Sequence, residues 1–223
     1  MTVELMSHTQ YPVLVCREAA AICTGSENPN SALLGAMSCG HESVLEHASF
    51  TFRIEGVSRV LLAQLTRHRL ASYSVQSQRY CGVKLEFVVP ETIKKMGWEQ
   101  AYTMQMQECY ATYNLMIHEG VPEEDARYII PQGITCNLIL TMNARELLHL
   151  FSLRCCNRAQ WEIRELSDRM RDLCMEYAPP LFRRSGAPCQ RGEKCTEGKK
   201  SCGHPRNAGG ANDVQSDTVS KSD

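Results

Sequence analysis

Residues 67–80 read Arg67-His68-Arg69-Leu70-Ala71-Ser72-Tyr73-Ser74-Val75-Gln76-Ser77-Gln78-Arg79-Tyr80. This stretch holds three arginines, one histidine, three serines and two glutamines. Its apolar residues follow neither a helical nor a strand period for more than a few positions, which is not the pattern of a core element. Polar residues this dense on an irregular segment are typical of a loop that binds a ligand. We therefore interpret the rest of the chain around this segment.

The surrounding window is cationic without acidic neighbours. Between residues 56 and 85 there is no Asp or Glu, yet the window contains Arg59, Arg67, Arg69, Arg79 and Lys84. An anion such as a nucleotide phosphate is the natural complement of these arginines and of the serine hydroxyls beside them. Two plainer explanations stay open: a solvated surface loop, and cations placed at the negative end of a helix dipole.

The composition is that of an ordinary globular domain. The 223 residues carry a formal net charge of -1, with 22% charged and 43% hydrophobic residues. A general nucleic-acid binder is expected to be more basic, so we expect no nucleic-acid partner. We find no secretory signal and no apolar run of membrane-spanning length, so we expect no membrane partner. The twelve cysteines include no Cys-x-x-Cys pair, which favours reduced thiols in the cytoplasm.

The hydrophobic pattern predicts alternating strands and helices. Strands are expected at residues 3–6, 49–57, 85–89 and 134–142, and helices at residues 11–24, 59–69, 100–119, 122–131, 143–153 and 159–177. Ser58 is expected to cap the second of these helices, and Asn143 with Glu146 resembles a capping box. Residues 41–47 are interpreted as a helical turn with a polar face, and residues 28–30 as a loop.

The C-terminal segment differs in composition from the rest. From Arg184 onward, Gly, Ser, Lys, Asn and Asp replace the large apolar residues, so we divide the chain into a domain at residues 1–183 and a disordered tail at residues 184–223. Cys189, Cys195, Cys202 and His204 could supply four soft metal ligands. Their spacing lacks a tight chelating pair, so we assign no metal. No dinucleotide-binding glycine motif or phosphate loop is present, which leaves residues 67–80 to bind a nucleotide.

The order of motifs resembles a known family. Arg67-His68-Arg69, seven residues, then Ser77 and Arg79-Tyr80 is similar to the signature of the flavin-dependent thymidylate synthases. The resemblance continues in residues 41–47, 121–131, 143–154 and 159–164. It implies an α/β (α+β) subunit, a single domain whose central antiparallel-rich sheet is flanked by helices. It also implies a homotetramer whose active sites are shared between chains.

The resemblance implies a reaction as well. Such enzymes methylate dUMP to dTMP: NADPH reduces FAD, 5,10-methylenetetrahydrofolate donates the one-carbon unit, and tetrahydrofolate is released. A nucleotide-binding or RNA-binding module without flavin chemistry is the alternative, and a different flavin oxidoreductase is another. Only the first interpretation predicts tight binding of dUMP over UMP.

Carried over residue by residue, the resemblance implies two overlapping sets. The FAD set is Ser43, Glu46, Arg67, His68, Arg69, Val75, Asn143, Ala144, Arg145 and His149. The dUMP set is Gln64, Leu65, Thr66, Arg67, Val75, Gln76, Ser77, Gln78, Arg79, Arg127 and Arg154.

Two residues of these sets are expected to be catalytic. Arg154 would stabilise negative charge that develops on the pyrimidine. Ser77 would orient and polarise the substrate, since no adjacent base is evident to make it a nucleophile. The chain departs from the family pattern at Ser74, Val75 and His149, although Val75 can still offer its backbone N–H.

Overall fold

The computed structural model describes residues 1–206, and these form a mixed structure of helices around one antiparallel sheet. The four strands are β1 (Thr2–His8), β2 (Ser49–Ser58), β3 (Ala71–Val75) and β4 (Thr135–Asn143). Their order across the sheet is β1-β2-β4-β3, and each neighbouring pair runs antiparallel. The expected central antiparallel sheet is therefore confirmed.

Alternating side chains bury one face of the two central strands. Phe50, Phe52 and Ile54 of β2 are completely buried, and Phe52 lies opposite Leu140 of β4. The register between these strands shifts after Ile54, where Gly56 adopts a φ of +69° and its N–H donates to Asn137 Oδ1 at 2.9 Å. A residue with a side chain would be strained at that φ, which explains the glycine.

Helices cover the buried face of the sheet and extend beyond it. The α-helices are α1 (Pro12–Thr24), α2 (Pro29–Ser38), α3 (Arg59–Leu65), α4 (Glu91–Lys95), α5 (Glu99–His118), α6 (Glu123–Ala126), α7 (Ala144–Arg154), α8 (Trp161–Tyr177) and α9 (Pro179–Phe182). Short 3₁₀ helices occupy Glu42–His47, Arg127–Ile129, Pro188–Arg191 and Gly198–Lys200. Over residues 1–206, no helix combines the length and apolar character needed to cross a membrane.

Three of the expected elements differ from the structure. Residues 85–89 form no strand, only a bridge from Phe87 to Ile134, because the opposite residues turn at Pro131 before β4 begins. Residues 71–75 were predicted to be irregular but form the edge strand β3. Apolar and polar residues alternate over only these five positions, which is too short a pattern to predict a strand. Helix α2 replaces the expected loop, and the Asn28 side chain caps it by accepting from the N–H groups of Asn30 and Ser31.

The segment that follows Arg184 also corrects an expectation. Ala187 is fully buried and Gln190 is 8% exposed, so residues 185–190 pack against the domain and are not part of the disordered tail that the composition suggested. Arg206 forms an ion pair with Asp168 of α8 at 2.9 Å. Buried side chains and this ion pair attach the segment to the domain. Neither feature can be recognised from the amino-acid composition. The remainder of the predicted tail, residues 207–223, lies outside the described residues.

Candidate active site

Helix α3 positions the Arg67-His68-Arg69 cluster. Ser58 caps this helix by accepting from the Leu61 N–H at 3.1 Å, as expected, but the helix ends at Leu65 rather than at residue 69. The Tyr73 hydroxyl lies 2.8 Å from the Leu65 carbonyl oxygen and 2.7 Å from that of His68, and it can donate to either. Burial raises the pKa of Tyr73 to about 12, so this phenol stays protonated and holds the end of the helix against β3.

His68 forms the buried centre of the site. It is 4% exposed, and its Nδ1 lies 2.9 Å from Glu146 Oε1 on α7. The Arg154 Nε–H donates to His68 Nε2 at 3.2 Å, which leaves that nitrogen as an acceptor. The neutral ring therefore carries its proton on Nδ1 and donates it to the Glu146 carboxylate. Burial lowers the pKa of His68 and Arg154 lowers it further, while the hydrogen bond to Glu146 opposes both effects.

Arg154 is held in place by this histidine at the C-terminal end of α7. Its side chain is half-buried, and burial followed by the nearby Arg67 lowers the pKa of its guanidinium. Two arginines in one partly dehydrated place repel each other, so an anion placed between them would be strongly stabilised. The fold thus brings Arg67, His68 and Arg154 together as expected.

Three potential metal ligands also converge here. One ligand atom each from His68, Glu146 and His149 lies within 4.8 Å of the others, and the rings of His68 and His149 meet edge to face with centroids 5.7 Å apart. Both ring nitrogens of His68 are already used, one by Glu146 and one by Arg154. Because Arg154 donates to the lone pair of His68 Nε2, that nitrogen is not available to a metal ion, and we assign no metal to these three residues.

A second group joins the 3₁₀ helix at Glu42–His47 to the start of α7. Glu46 forms an ion pair with Arg145, and both side chains are about half exposed. Asn143 caps α7 by accepting from the Glu146 N–H at 2.9 Å, which confirms half of the expected capping box. The Glu146 carboxylate does not return to the cap, because it binds His68 instead. Ser43 is exposed on the same 3₁₀ helix.

A third group is the loop after β3. Gln76, Ser77 and Gln78 line a cavity of about 50 Å³ together with Arg59 and Lys84. Arg59 donates to the Gln76 carbonyl oxygen at 2.9 Å, and Ser77 Oγ accepts from the N–H two residues later at 3.1 Å. The loop is therefore shaped by its own hydrogen bonds and by an arginine from α3.

Two arginines of the dUMP set contact one residue, Glu124. Arg79 forms an ion pair with Glu124 at 2.7 Å, and Arg127 Nε donates to the backbone carbonyl oxygen of Glu124 at 2.9 Å. These contacts hold Arg79 of the loop and Arg127 beside the same residue. Glu124 is exposed, so an incoming phosphate could compete with it for Arg79.

Some residues of the two sets point elsewhere. Leu65 and Ala144 are completely buried in the core, and the Ala144 N–H already donates to the Ala48 carbonyl oxygen at 2.7 Å. The Val75 side chain packs against the core, which leaves its backbone for any ligand. Gln64 and Thr66 bond to carbonyl oxygens one turn earlier in α3.

Four residues that support the site were not among the expected ones. Glu146, Arg59, Glu124 and Tyr73 each orient a member of the two sets. Glu146 was identified only as a possible capping residue. Arg59 was noted only as part of the cationic window and Tyr73 only as part of residues 67–80. Glu124 had no assigned role, because the contact with Arg79 exists only in the fold.

The chain matches a known family over most of its length. The family model described as "Thymidylate synthase complementing protein" matches residues 4–180. A flavin-dependent thymidylate synthase of Geobacter sulfurreducens is 44% identical over 219 residues, which cover 91% of this chain and 94% of that protein. Another, from Nitratidesulfovibrio vulgaris, is 38% identical and covers 90% and 94%.

Solved structures share the fold. The flavin dependent thymidylate synthase ThyX of Helicobacter pylori, complexed with FAD and dUMP, has a TM-score of 0.68 at 24% identity and covers 83% of this chain and 100% of that one. The UMP/dUMP methylase PolB of Streptomyces cacaoi, bound with 5-Br dUMP, has a TM-score of 0.73 at 25% identity, covering 82% and 93%.

Proposed function

The chain belongs to the flavin-dependent thymidylate synthase family, and from this premise we propose how its own residues act on dUMP. The enzyme methylates dUMP to dTMP with FAD, NADPH and 5,10-methylenetetrahydrofolate. Reduced FAD supplies the hydride that completes the methyl group. The chain must then hold the flavin, orient the pyrimidine and stabilise the negative charge that develops on it.

The residues present are suited to the diphosphate of FAD. Arg67 and Arg69 are exposed, and within residues 1–206 neither forms an ion pair with a carboxylate. Arg145 lies in the first turn of α7, where free N–H groups and the helix dipole also favour an anion. These three arginines, with Ser43 and Glu46, would bind the cofactor, and His68 and His149 would line its site.

The loop after β3 is suited to dUMP. Arg79 and Arg127 would bind the phosphate, displacing the exposed Glu124 carboxylate from Arg79. Ser77 would lie beside the pyrimidine and orient it by hydrogen bonding. Gln76 and Gln78 would add side-chain or backbone hydrogen bonds to the same nucleotide.

The observation that carries this proposal is the chain of contacts from Glu146 through His68 to Arg154. A neutral, buried imidazole fixes one guanidinium N–H and leaves the remaining donors of Arg154 free. Methylation at C5 builds negative charge on the uracil, and a preoriented cation in a partly dry site stabilises such charge most. Arg154 is thus the catalytic electrostatic group, and His68 and Glu146 are positioning residues.

We further propose that four copies of the chain share their active sites. Each of the three residue groups described above would supply only part of a complete site, and the missing parts would come from other chains. Large apolar side chains are also exposed, including Tyr128 at 85%, Tyr80 at 78% and Trp98 at 61%. Exposed aromatic residues of this kind are typical of interfaces. A cytoplasmic location remains a prediction.

The function is tested by following the flavin absorption of the purified protein under anaerobic conditions. NADPH should bleach the flavin band, and dUMP with methylenetetrahydrofolate should restore it as dTMP forms. UMP in place of dUMP should restore it far less. A protein that takes up no FAD, or that forms no dTMP after flavin reduction, would overturn the proposal.

The role of Arg154 is tested with Arg154→Lys. Lysine keeps the charge but loses the planar fork and the contact with His68 Nε2. We expect kcat to fall roughly 10²–10³-fold, the range seen when one charge-stabilising donor is removed. FAD content should be unchanged, and the exposed Arg53→Lys is the matched control. An unaltered kcat would exclude Arg154 from catalysis.

A further inference from the structure

Four cysteines outside the active-site residues line one cavity. Cys156 lies just after α7, and Cys189, Cys195 and Cys202 come from the segment that follows α9. The cavity measures about 260 Å³. A single water molecule takes up roughly 30 Å³ in the liquid, so this recess has room for a group larger than one ion. Its walls include the exposed Cys195, and four thiols that line one recess suggest a bound ligand.

Backbone N–H groups are directed at the sulfurs. The N–H of Arg158 donates to Cys156 Sγ, that of His204 to Cys202 Sγ, and that of Arg206 to Cys189 Sγ, each at 3.4 Å. A neutral thiol is a weak acceptor, whereas a metal-bound thiolate benefits from such donors. Three of the four cysteines thus already have the hydrogen bonds that a thiolate ligand needs.

The segment is tied to the domain through residues beside the cavity. The Asn157 side chain donates to the His204 carbonyl oxygen at 2.9 Å, and Arg206 pairs with Asp168. The guanidinium of Arg206 also contacts the backbone carbonyl oxygen of Cys155. These contacts bring the sulfurs of residues 189–202 to the turn between α7 and α8, and they place a cation beside the thiols.

The spacing of the sulfurs separates two kinds of metal centre. A single tetrahedral zinc ion with Zn–S bonds of about 2.3 Å holds its sulfurs about 3.8 Å apart. Within residues 1–206, three ligand atoms come within 4.8 Å of one another only at His68, Glu146 and His149. As they stand, no three of the four sulfurs are close enough to share one such ion. A cluster of several irons spreads its thiolates farther, because each sulfur binds a different corner.

We propose that Cys156, Cys189, Cys195 and Cys202 bind a [4Fe–4S] cluster that joins the C-terminal segment to the end of α7. Each thiol loses its proton as its Fe–S bond forms, and the Cys202 thiol gives up the hydrogen bond that it donates to the His204 carbonyl oxygen at 3.3 Å. Cys195 is exposed, so the cluster is reachable by oxygen from that side. None of these four cysteines belongs to the FAD or dUMP set.

The test is the metal content of the full-length protein. The chain is produced with added iron and cysteine, purified without oxygen, and reconstituted with ferric iron, sulfide and dithiothreitol, so that the cluster forms with both ferric and ferrous iron. We expect about four irons and about four acid-labile sulfides per chain, with an electron paramagnetic resonance signal after dithionite reduction. One zinc per chain without sulfide would overturn the cluster, and so would the absence of both iron and zinc.

Two variants show whether these cysteines are the ligands. Cys195→Ser with Cys202→Ser should lose most of the iron and sulfide, whereas Cys23→Ser, at an exposed cysteine of α1, should keep both. FAD content and far-ultraviolet circular dichroism report whether each variant folds. A folded double variant that retains its iron and sulfide would contradict the assignment. The wild-type metal content stands as a test even if the double variant does not fold.

Discussion

His68 is a histidine whose charge the fold suppresses. It lies almost fully buried between a carboxylate and a guanidinium, and burial is the largest cause of its lowered pKa. A protonated ring would lose the Arg154 hydrogen bond and would face a positive neighbour. The neutral form is therefore part of how Arg154 is positioned.

This pKa shift predicts a pH dependence of stability. Because the pKa of folded His68 lies below 6.5, the unfolded chain binds more protons than the folded chain as the pH falls through that value. Stability contributed by this group is thus present at higher pH and lost on acidification. We expect the decrease in melting temperature between about pH 7.5 and about pH 5.5 to be smaller in His68→Gln.

The control for this measurement is His118→Gln, which changes an exposed histidine on α5. It should show the same pH dependence as the wild type. If His68→Gln also matches the wild type, His68 binds protons equally in the folded and unfolded chains, and the lowered pKa assigned to it is wrong.

Ser77 provides a second prediction for a single side chain. Its hydroxyl accepts from the Arg79 N–H at 3.1 Å, which suits a residue that orients a nucleotide. We expect Ser77→Ala to weaken dUMP binding and to retain measurable turnover, because no covalent step depends on the hydroxyl. Titration calorimetry with dUMP and single-turnover dTMP formation measure the two effects. Loss of turnover with dUMP affinity and flavin reduction intact would instead indicate a nucleophile.

Helix α3 depends on a buried cap. Ser58 Oγ accepts from the Leu61 N–H and donates to the Glu162 carboxylate, which is 2% exposed and also accepts from the Ser58 N–H at 2.7 Å. Ser58→Ala removes the cap, at about 0.5–2 kcal/mol, and takes one partner from a buried carboxylate, at about 1–3 kcal/mol. We expect a total loss of roughly 2–4 kcal/mol.

The matched control is Asn28→Ala at the exposed cap of α2, where only the capping term of about 1 kcal/mol is lost. Thermal unfolding at one protein concentration compares the two variants. Equal shifts in melting temperature would mean that the Glu162 contact adds nothing to the cap.

The sequence predicted an element well where its hydrophobic alternation continued over enough residues and where a capping residue marked its end. Strand β2, with Phe50, Phe52 and Ile54 alternating against polar residues, was predicted within one residue of its observed bounds. Strand β3 was missed because five residues at a sheet edge, two of them serines, resemble a loop until β4 pairs with them. Residues 85–89 had the pattern of a strand but lacked an extended partner.

The proposed shared active sites predict complementation between two inactive variants. Arg79→Ala impairs the loop group and Arg145→Ala impairs the group at the start of α7. If a complete site takes these groups from different chains, tetramers that contain both variants have some sites with neither substitution. Random mixing of equal amounts leaves both groups intact in about a quarter of such sites.

The two variants are unfolded together, refolded as a mixture and assayed for dTMP formation. We expect about a quarter of wild-type activity in the mixture and almost none in either variant alone. A mixture as inactive as its components would mean that both groups act within one chain. Sedimentation of the same samples reports whether they are tetramers.

The sequence by itself determined the chemistry of this protein. The family, and therefore the reaction, was identified from a motif, and a motif depends only on the order of residues along the chain. Its residues are Arg67-His68-Arg69 and Ser77, followed by Arg127, Asn143, Arg145 and Arg154. Only the tertiary structure decided how these groups are held. Glu146 orients His68, and Glu124 contacts both Arg79 and Arg127. Four cysteines whose sequence spacing contains no chelating pair line one cavity. Such contacts join residues that are up to tens of positions apart, and burial, hydrogen bonding and charge act through distance in space rather than along the chain.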